Sequence, residues 1–432
     1  MEKLVPSGTS FSKTPVLRVA LTFLLGWYIV TLPRYIGITK YAFVLLILVA
    51  FVYLVFNFRQ VRQTSGAERA FFAVVIGEFL WIAFTYYFNG EPGQGDSFLW
   101  SRHFYMLFLI PMFFLFRRLE ISDQSIIALL TCSVAILFVD MTIDLARGVD
   151  FSIKGINRNG LGPIQLCLSG ILFFYVVGRS DKPWRWLALA GFCLGTATVL
   201  FSQSRTTWAS MLLVGCLFAF YFARRLPAWQ RLILIMGVMS ILYGAASLPI
   251  VSKRINYAIS DITAYISNDG SDDTGLGSAS MRIELWKTGW YIFLEHPVTG
   301  VGVGGFQLMA MENWERYQVH NTVVQFKYVH NQYLAALATR GVPGLILFLL
   351  FMTIPIYIAM QHKSEDASAE VARLSVIFIS LVYLVGCLGE DHFETQPGIM
   401  FMSVFLALLL ARISTENHVI DNQHQAMPAP QG

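Results

Sequence analysis

Three basic side chains stand where apolar runs give way to polar ones: Arg205 in FSQSRTTW, Arg282 in SMRIELW and His330 in VHNQYL. Their types fit one division of labour. A guanidinium offers a planar fork of donors that grips phosphate or carboxylate oxygens bidentately. A neutral imidazole takes a proton from a hydroxyl within reach. Ser204 and Thr206 are good capping residues, so Arg205 is expected at a helix start, where a guanidinium and unbonded amides make an anion site. KGINRNGLG places Arg158 and Asn159 similarly before an apolar run, and for both arginines the alternative is snorkelling to headgroup phosphates. His330 and Asn331 are expected in the first turn of a helix, where the positive dipole end and neighbouring arginines depress the histidine pKa and keep the ring neutral.

The elements that carry these residues follow from composition. With 56% hydrophobic and 13% charged residues, the chain is far from the quarter or so of charged residues usual in soluble domains. It reads as an all-α polytopic membrane protein, because backbone amides in lipid must be bonded within the segment. Runs long enough to cross a hydrocarbon core of about 30 Å fall near 16–33, 40–58, 69–88, 98–116, 125–143, 160–178, 184–201, 206–223, 230–248, 342–360, 371–389 and 397–411, about twelve transmembrane helices. The net charge of +4 reads as an orientation signal, and nucleic acid is not an expected partner. Five cysteines inside apolar segments show no metal spacing and imply no disulfide framework.

Arginine and lysine concentrate in the even-numbered connections, for example Arg117 and Arg118, then Arg224, Arg225 and Arg231. By the positive-inside rule both termini are cytoplasmic, and the long segment between spans 9 and 10 faces outward, the periplasm in a two-membrane bacterium. The expected division is a bundle over 1–249, a periplasmic segment of short helices over 250–341, spans 10–12 over 342–412, and a cytoplasmic tail over 413–432, expected to be disordered. Met1–Thr14 lacks a cleavage pattern and reads as a retained cytoplasmic tail. Nucleotide sugars and ATP are not expected outside, so a group transfer there needs a donor already activated on a lipid carrier.

Within the outer segment, 253–266 reads as a short amphipathic piece and 267–280 as a flexible linker, whose Asp269, Asp272 and Asp273 lack calcium-loop spacing. From 279 to 294 the pattern is helical, with Met281, Leu285, Thr288 and Ile292 on one face and Arg282, Trp286 and Gly289 on the adjacent strip. GVGVGG at 300–305 satisfies GxGxxG formally, but no strand precedes it, so a tight backbone turn is the better reading. Trp314, Tyr317, Phe326 and Tyr328 read as an interfacial belt in preference to a sugar-stacking surface. A helix follows from 329, which Gly341 and Pro343 separate from span 10. Glu390, Asp391, His392 and Glu394 read as a solvated turn in preference to a metal site, with orientation of acceptor hydroxyls as a further role.

The block SxRxxLW, EHPVTGVGVGGF and VHNQYLxxLxxxGxPGLxxF resembles the hallmark region of the O-antigen ligase and polymerase superfamily, and its place after about nine spans is similar. The resemblance implies transfer of a glycan from undecaprenyl pyrophosphate in the periplasm, in the ligase branch to a lipid A-core sugar hydroxyl, with no metal and no cofactor. It implicates Arg205, Arg282 and His330 as catalytic. Arg158, Asn159, Asn331 and Trp286 are candidate substrate-binding residues beside them. The chemistry agrees: arginines neutralise the departing pyrophosphate, a neutral histidine activates the hydroxyl, and one base without a carboxylate nucleophile implies inversion. The alternatives are a polymerase, a protein O-oligosaccharyltransferase or, in a different class, a transporter, against which stands the scarcity of ionisable residues within spans beyond Glu78 and Asp140.

Overall fold

The computed structural model describes residues 15–32, 36–89, 99–119, 121–147, 158–178, 182–224, 226–231, 236, 249–267, 276–362 and 366–426. The described elements are α1 (Pro15–Thr31), α2 (Ile36–Phe56), α3 (Gly66–Phe88), α4 (Leu99–Leu107), α5 (Leu109–Arg118), α6 (Asp123–Ala146), α7 (Arg158–Gly178), α8 (Arg185–Phe201) and α9 (Arg205–Ala223). They continue with α10 (Pro249–Ser267), α11 (Ser280–Glu295), α12 (Gly305–Asn313), α13 (Gln332–Gln361), α14 (Ala367–Gly386) and α15 (Gln396–Ala426), with short 3-10 turns between some of them. No strand occurs among the described residues, so the protein is an all-α polytopic membrane protein.

Eight described helices are long and apolar enough to cross a membrane, within α2, α3, α6, α7, α9, α13, α14 and α15. Two further expected spans appear as the shorter apolar helices Arg18–Thr31 and Arg185–Phe201. The run expected at 98–116 is two helices, α4 and α5, meeting at Phe108. Most of the run at 230–248 lies outside the described residues, as do Met1–Thr14, Arg225, the loop before Arg158, Asp269, Asp272 and Asp273. Burial ranks the spans: the apolar window of α15 is 94% buried and that of α7 78%, against 22% for α9. So α15 and α7 form the axis of the bundle, and α9 presents its side chains outward.

A second, smaller core lies apart from the bundle core. Met281, Leu285 and Ile292 of α11 pack with Phe306 and Ala310 of α12 and with Tyr317, Val319, Val323 and Val329, while Trp314 and Phe326 pack against them. This corrects the reading of the insert aromatics as an interfacial belt: Tyr317 is buried and stacks on Tyr291, and these rings supply the apolar area that a short polar-rich segment needs to hold its shape.

The glycine turn joins the two cores. Gly300, Gly302 and Gly304 all have positive φ, a conformation open to glycine at little cost. The amides of Val301 and Gly302 donate to the carbonyls of Ala338 and Thr339 at 3.0 and 2.9 Å, so they clamp the turn to α13 and do not face a substrate. At Gly341 (φ 68°) α13 kinks, dividing a short first helix from the span beyond.

Candidate functional site

The site is built on the loop between α14 and α15. Glu390, Asp391, His392 and Glu394 are all buried, which corrects the expectation of a solvated turn. Buried charge is expensive unless paired; Glu390 and Glu394 meet basic side chains, while Asp391 accepts the His330 amide. One carboxylate collects three separate parts of the chain: Glu390 pairs with the Arg282 guanidinium of α11, meets His330 Nδ1 at 3.1 Å, and accepts from Asn159 Nδ2 of α7 at 2.5 Å.

His330 does not sit in a helical turn as expected. The helix begins at Gln332 with Asn331 as its N-cap, whose side-chain oxygen accepts from the Tyr333 and Leu334 amides. His330 precedes the cap with φ 56°, a left-handed conformation that costs a non-glycine residue on the order of 1–2 kcal/mol. Two contacts hold it there: its amide donates to Asp391 Oδ2 at 2.6 Å and its carbonyl accepts from Trp286 Nε1 at 3.2 Å. Phe326 lies edge-on to the ring at 6.0 Å.

This environment reverses the expected titration. Burial pulls the His330 pKa down, but the hydrogen bond and charge of Glu390, with the charge of Asp391, outweigh burial and the opposing Arg282, so it is raised. Burial pushes Glu390 up, yet His330 and Arg282 hold it below the usual carboxylate range. The neighbours diverge: burial carries Asp391 up to about 7 and His392 down to about 4.

Arg282 and His330 line one cavity of ≈ 340 Å³ together with Asn159, Gly277, Ser278 and Phe326. Arg205 begins α9 behind the cap residue Ser204, and its Nη2 donates to Ser278 Oγ at 2.6 Å. It therefore stands at the cavity rim, one hydrogen bond from a lining residue. The α7 and α9 starts are held close because Gly162 leaves no room for a Cβ, which would lie 2.3 Å from Thr207 Oγ1. Arg158 opens α7, but its side chain lies outside the described residues. Trp286 and Asn331 are not among the cavity-lining residues; one holds the His330 carbonyl, and the other caps α13 and donates to the Leu388 carbonyl at 3.0 Å.

The acidic loop also makes a second cluster beneath the first. Glu394 accepts from Arg340 Nη2 at 3.0 Å and Gln332 Nε2 at 3.1 Å, both of α13, and meets His103 Nε2 of α4 at 3.2 Å. Glu78 of α3 lies 3.8 Å from Arg340 Nη1. Arg340 and His103 hold the Glu394 carboxyl far below the ordinary range despite its burial. Sequence reasoning missed Glu390 and Arg340 as organisers. The usable signal was four ionisable residues between two membrane spans, a functional pointer in its own right.

The arrangement offers guanidinium groups for an anion and an imidazole whose Nδ1–H is engaged by a carboxylate, which leaves Nε2 as a proton acceptor in the neutral ring. Residues 190–349 match the family model described as O-antigen ligase. The match includes Arg205, Arg282 and His330 and excludes Asn159 and Glu390. An uncharacterized protein of Haemophilus influenzae is 24% identical over 266 residues, 60% of this chain and 65% of that protein. A ComP-specific O-oligosaccharyltransferase of Acinetobacter baylyi is 23% identical over 232 residues, 53% of this chain and 38% of that protein. The chain thus spans less than two thirds of the length of either relative.

Proposed function

We propose that the chain, whose residues 190–349 match the O-antigen ligase family model, is a glycosyltransferase of that family. It takes a glycan from undecaprenyl pyrophosphate and joins it to a lipid A-core sugar hydroxyl, on the periplasmic face of a bacterial inner membrane with both termini cytoplasmic. The observation that carries this reading is the convergence of Arg282, His330 and Asn159 on Glu390 at the wall of one cavity, with Arg205 joined to its rim through Ser278.

In the reaction, the acceptor oxygen attacks the anomeric carbon as the bond to the pyrophosphate oxygen breaks. The hydroxyl proton passes to His330 Nε2, and Glu390 stabilises the imidazolium that results. The departing pyrophosphate keeps the bonding electron pair, and Arg282 and Arg205 neutralise its growing charge. A single displacement inverts the anomeric configuration.

The relative named as an O-oligosaccharyltransferase favours a second reading, in which the acceptor is a protein hydroxyl. One experiment separates the two. Purified protein in nanodiscs receives a lipid-pyrophosphate glycan with core lipid, a second donor or a pilin-type protein. Elongated core lipid of inverted linkage is expected, and His330→Ala is expected to lower the rate by about 10²–10⁴-fold. Glycosylated protein would move the assignment to the second reading, and an elongated donor would move it to polymerase. Normal turnover by the alanine variant would remove His330 as the base.

A further inference from the structure

α10 has three distinct faces. Asp261 and Tyr265, one turn apart, meet α11. Asp261 Oδ2 accepts the amide N–H of Ala279 at 2.7 Å and of Ser280 at 3.4 Å, its Oδ1 accepts the Ser280 hydroxyl, and the Tyr265 hydroxyl donates to Glu284. The N-cap residue of α11 is Ala279, which makes no side-chain cap bond, so Asp261 caps this helix from its neighbour. A second face carries Asn256, Ser260, Thr263 and Ser267.

The third face is a stripe of isoleucines. Ile255, Ile259, Ile262 and Ile266 recur at the helix period and are exposed by 42%, 58%, 38% and 72%. A β-branched residue is a poor helix former, so four of them on an exposed side of a helix lack a reason in helix stability.

The position of α10 identifies what covers the stripe. Asp261 holds the start of α11, and Arg282 in that first turn meets Glu390 beside the first residues of α7 and α13. α10 therefore lies at the level where the spans end. Farther along α9, eight to fifteen residues from Arg205, the bundle surface is apolar, with Leu213, Leu217 and Phe220 exposed by 52%, 55% and 59%. The sequence of α10 holds one acidic residue, Asp261, turned to α11, while Lys253 is exposed near its start, so nothing on its free faces repels anionic headgroups.

We propose that α10 is an interfacial helix whose isoleucine stripe rests in the acyl region of the lipid leaflet beside the cavity. Through Asp261, that contact fixes the first turn of α11 and hence Arg282. The proposal rests on the membrane-spanning fold and not on the transfer chemistry, so it can fail or hold separately from the reaction.

The test places a benzophenone amino acid at Ile259, Ile262, Asn256 or Ser260 in the full chain, in nanodiscs of phosphatidylethanolamine and phosphatidylglycerol. On irradiation, on the order of tenfold more lipid adduct is expected from the isoleucine positions than from the polar face, as for an interfacial helix. Equal adducts on both faces, or protein adducts from the isoleucines, would overturn the proposal. Hydrogen exchange keeps the coupling testable. The Ala279 and Ser280 amides should be more protected in nanodiscs than in detergent, and Ile259→Ser with Ile262→Ser should erase that difference. Protection that persists in the double variant would defeat the link to α11.

Discussion

His330 gains its character from contacts that oppose one another. Glu390 raises its pKa above the ordinary 6.5 despite burial and the nearby Arg282. A base acts only when unprotonated, so the rate of wild-type protein should fall as pH drops through a value above 6.5. Glu390→Gln removes the carboxylate charge and lets that pKa fall. The acidic limb of the pH–rate profile should therefore move to lower pH, while the plateau rate also drops because Arg282 and Asn159 lose their shared partner. An unmoved limb would show that the titrating group is not His330. Arg282→Lys tests the guanidinium: its Nη2 is engaged by Glu390, and the rest of the planar fork remains for a phosphate. An ammonium cannot keep both, so steady-state rates should fall by on the order of the 10²–10³-fold seen when one oxyanion donor is removed.

Among the elements, the kink in α13 seats the turn at 297–304 against that helix. Gly341 has φ 68°, and a Cβ there would lie 2.0 Å from the Val298 carbonyl oxygen. Gly341→Ala should therefore cost more than the roughly 1–3 kcal/mol of the strained backbone alone, since the turn at 297–304 must move with it. Gly215 of α9 is the control, because nothing lies within 4 Å of its added Cβ, and Gly215→Ala should be neutral or stabilising by up to about 1 kcal/mol. Thermal unfolding in detergent compares them, and equal midpoints would refute the strained-turn account.

The whole molecule is braced by charge pairs that join distant parts of the chain. Arg340 is fully buried, and through Glu394, Gln332, His103 and Glu78 it ties α3, α4 and α13 to the loop that carries Glu390. Arg340→Met leaves Glu394 without its cation. Breaking one partner of a buried pair costs about 3–5 kcal/mol, so the yield of monodisperse protein and its unfolding midpoint should both fall. Arg340→Met with Glu394→Gln should recover part of the loss, because of the two carboxylates that faced Arg340 only Glu78 then remains. No recovery would place the role of Arg340 in packing.

The sequence by itself determined the helices and their punctuation. Long apolar runs must fold as helices in lipid, glycines at 300, 302, 304 and 341 mark turns that need positive φ, and Ser204 and Asn331 stand at the helix starts. Arg282 and His330 were legible as chemistry because their types and the motifs around them are local. Their shared carboxylate was not. Glu390 lies 60 residues from His330, 108 from Arg282 and 231 from Asn159, in a loop whose four ionisable residues look solvated until burial is known. Periodicity and capping are settled within a few residues of chain. Whether a charge is paired, and so which way a histidine titrates, depends on what the packed bundle places beside it, and only the tertiary structure decided that.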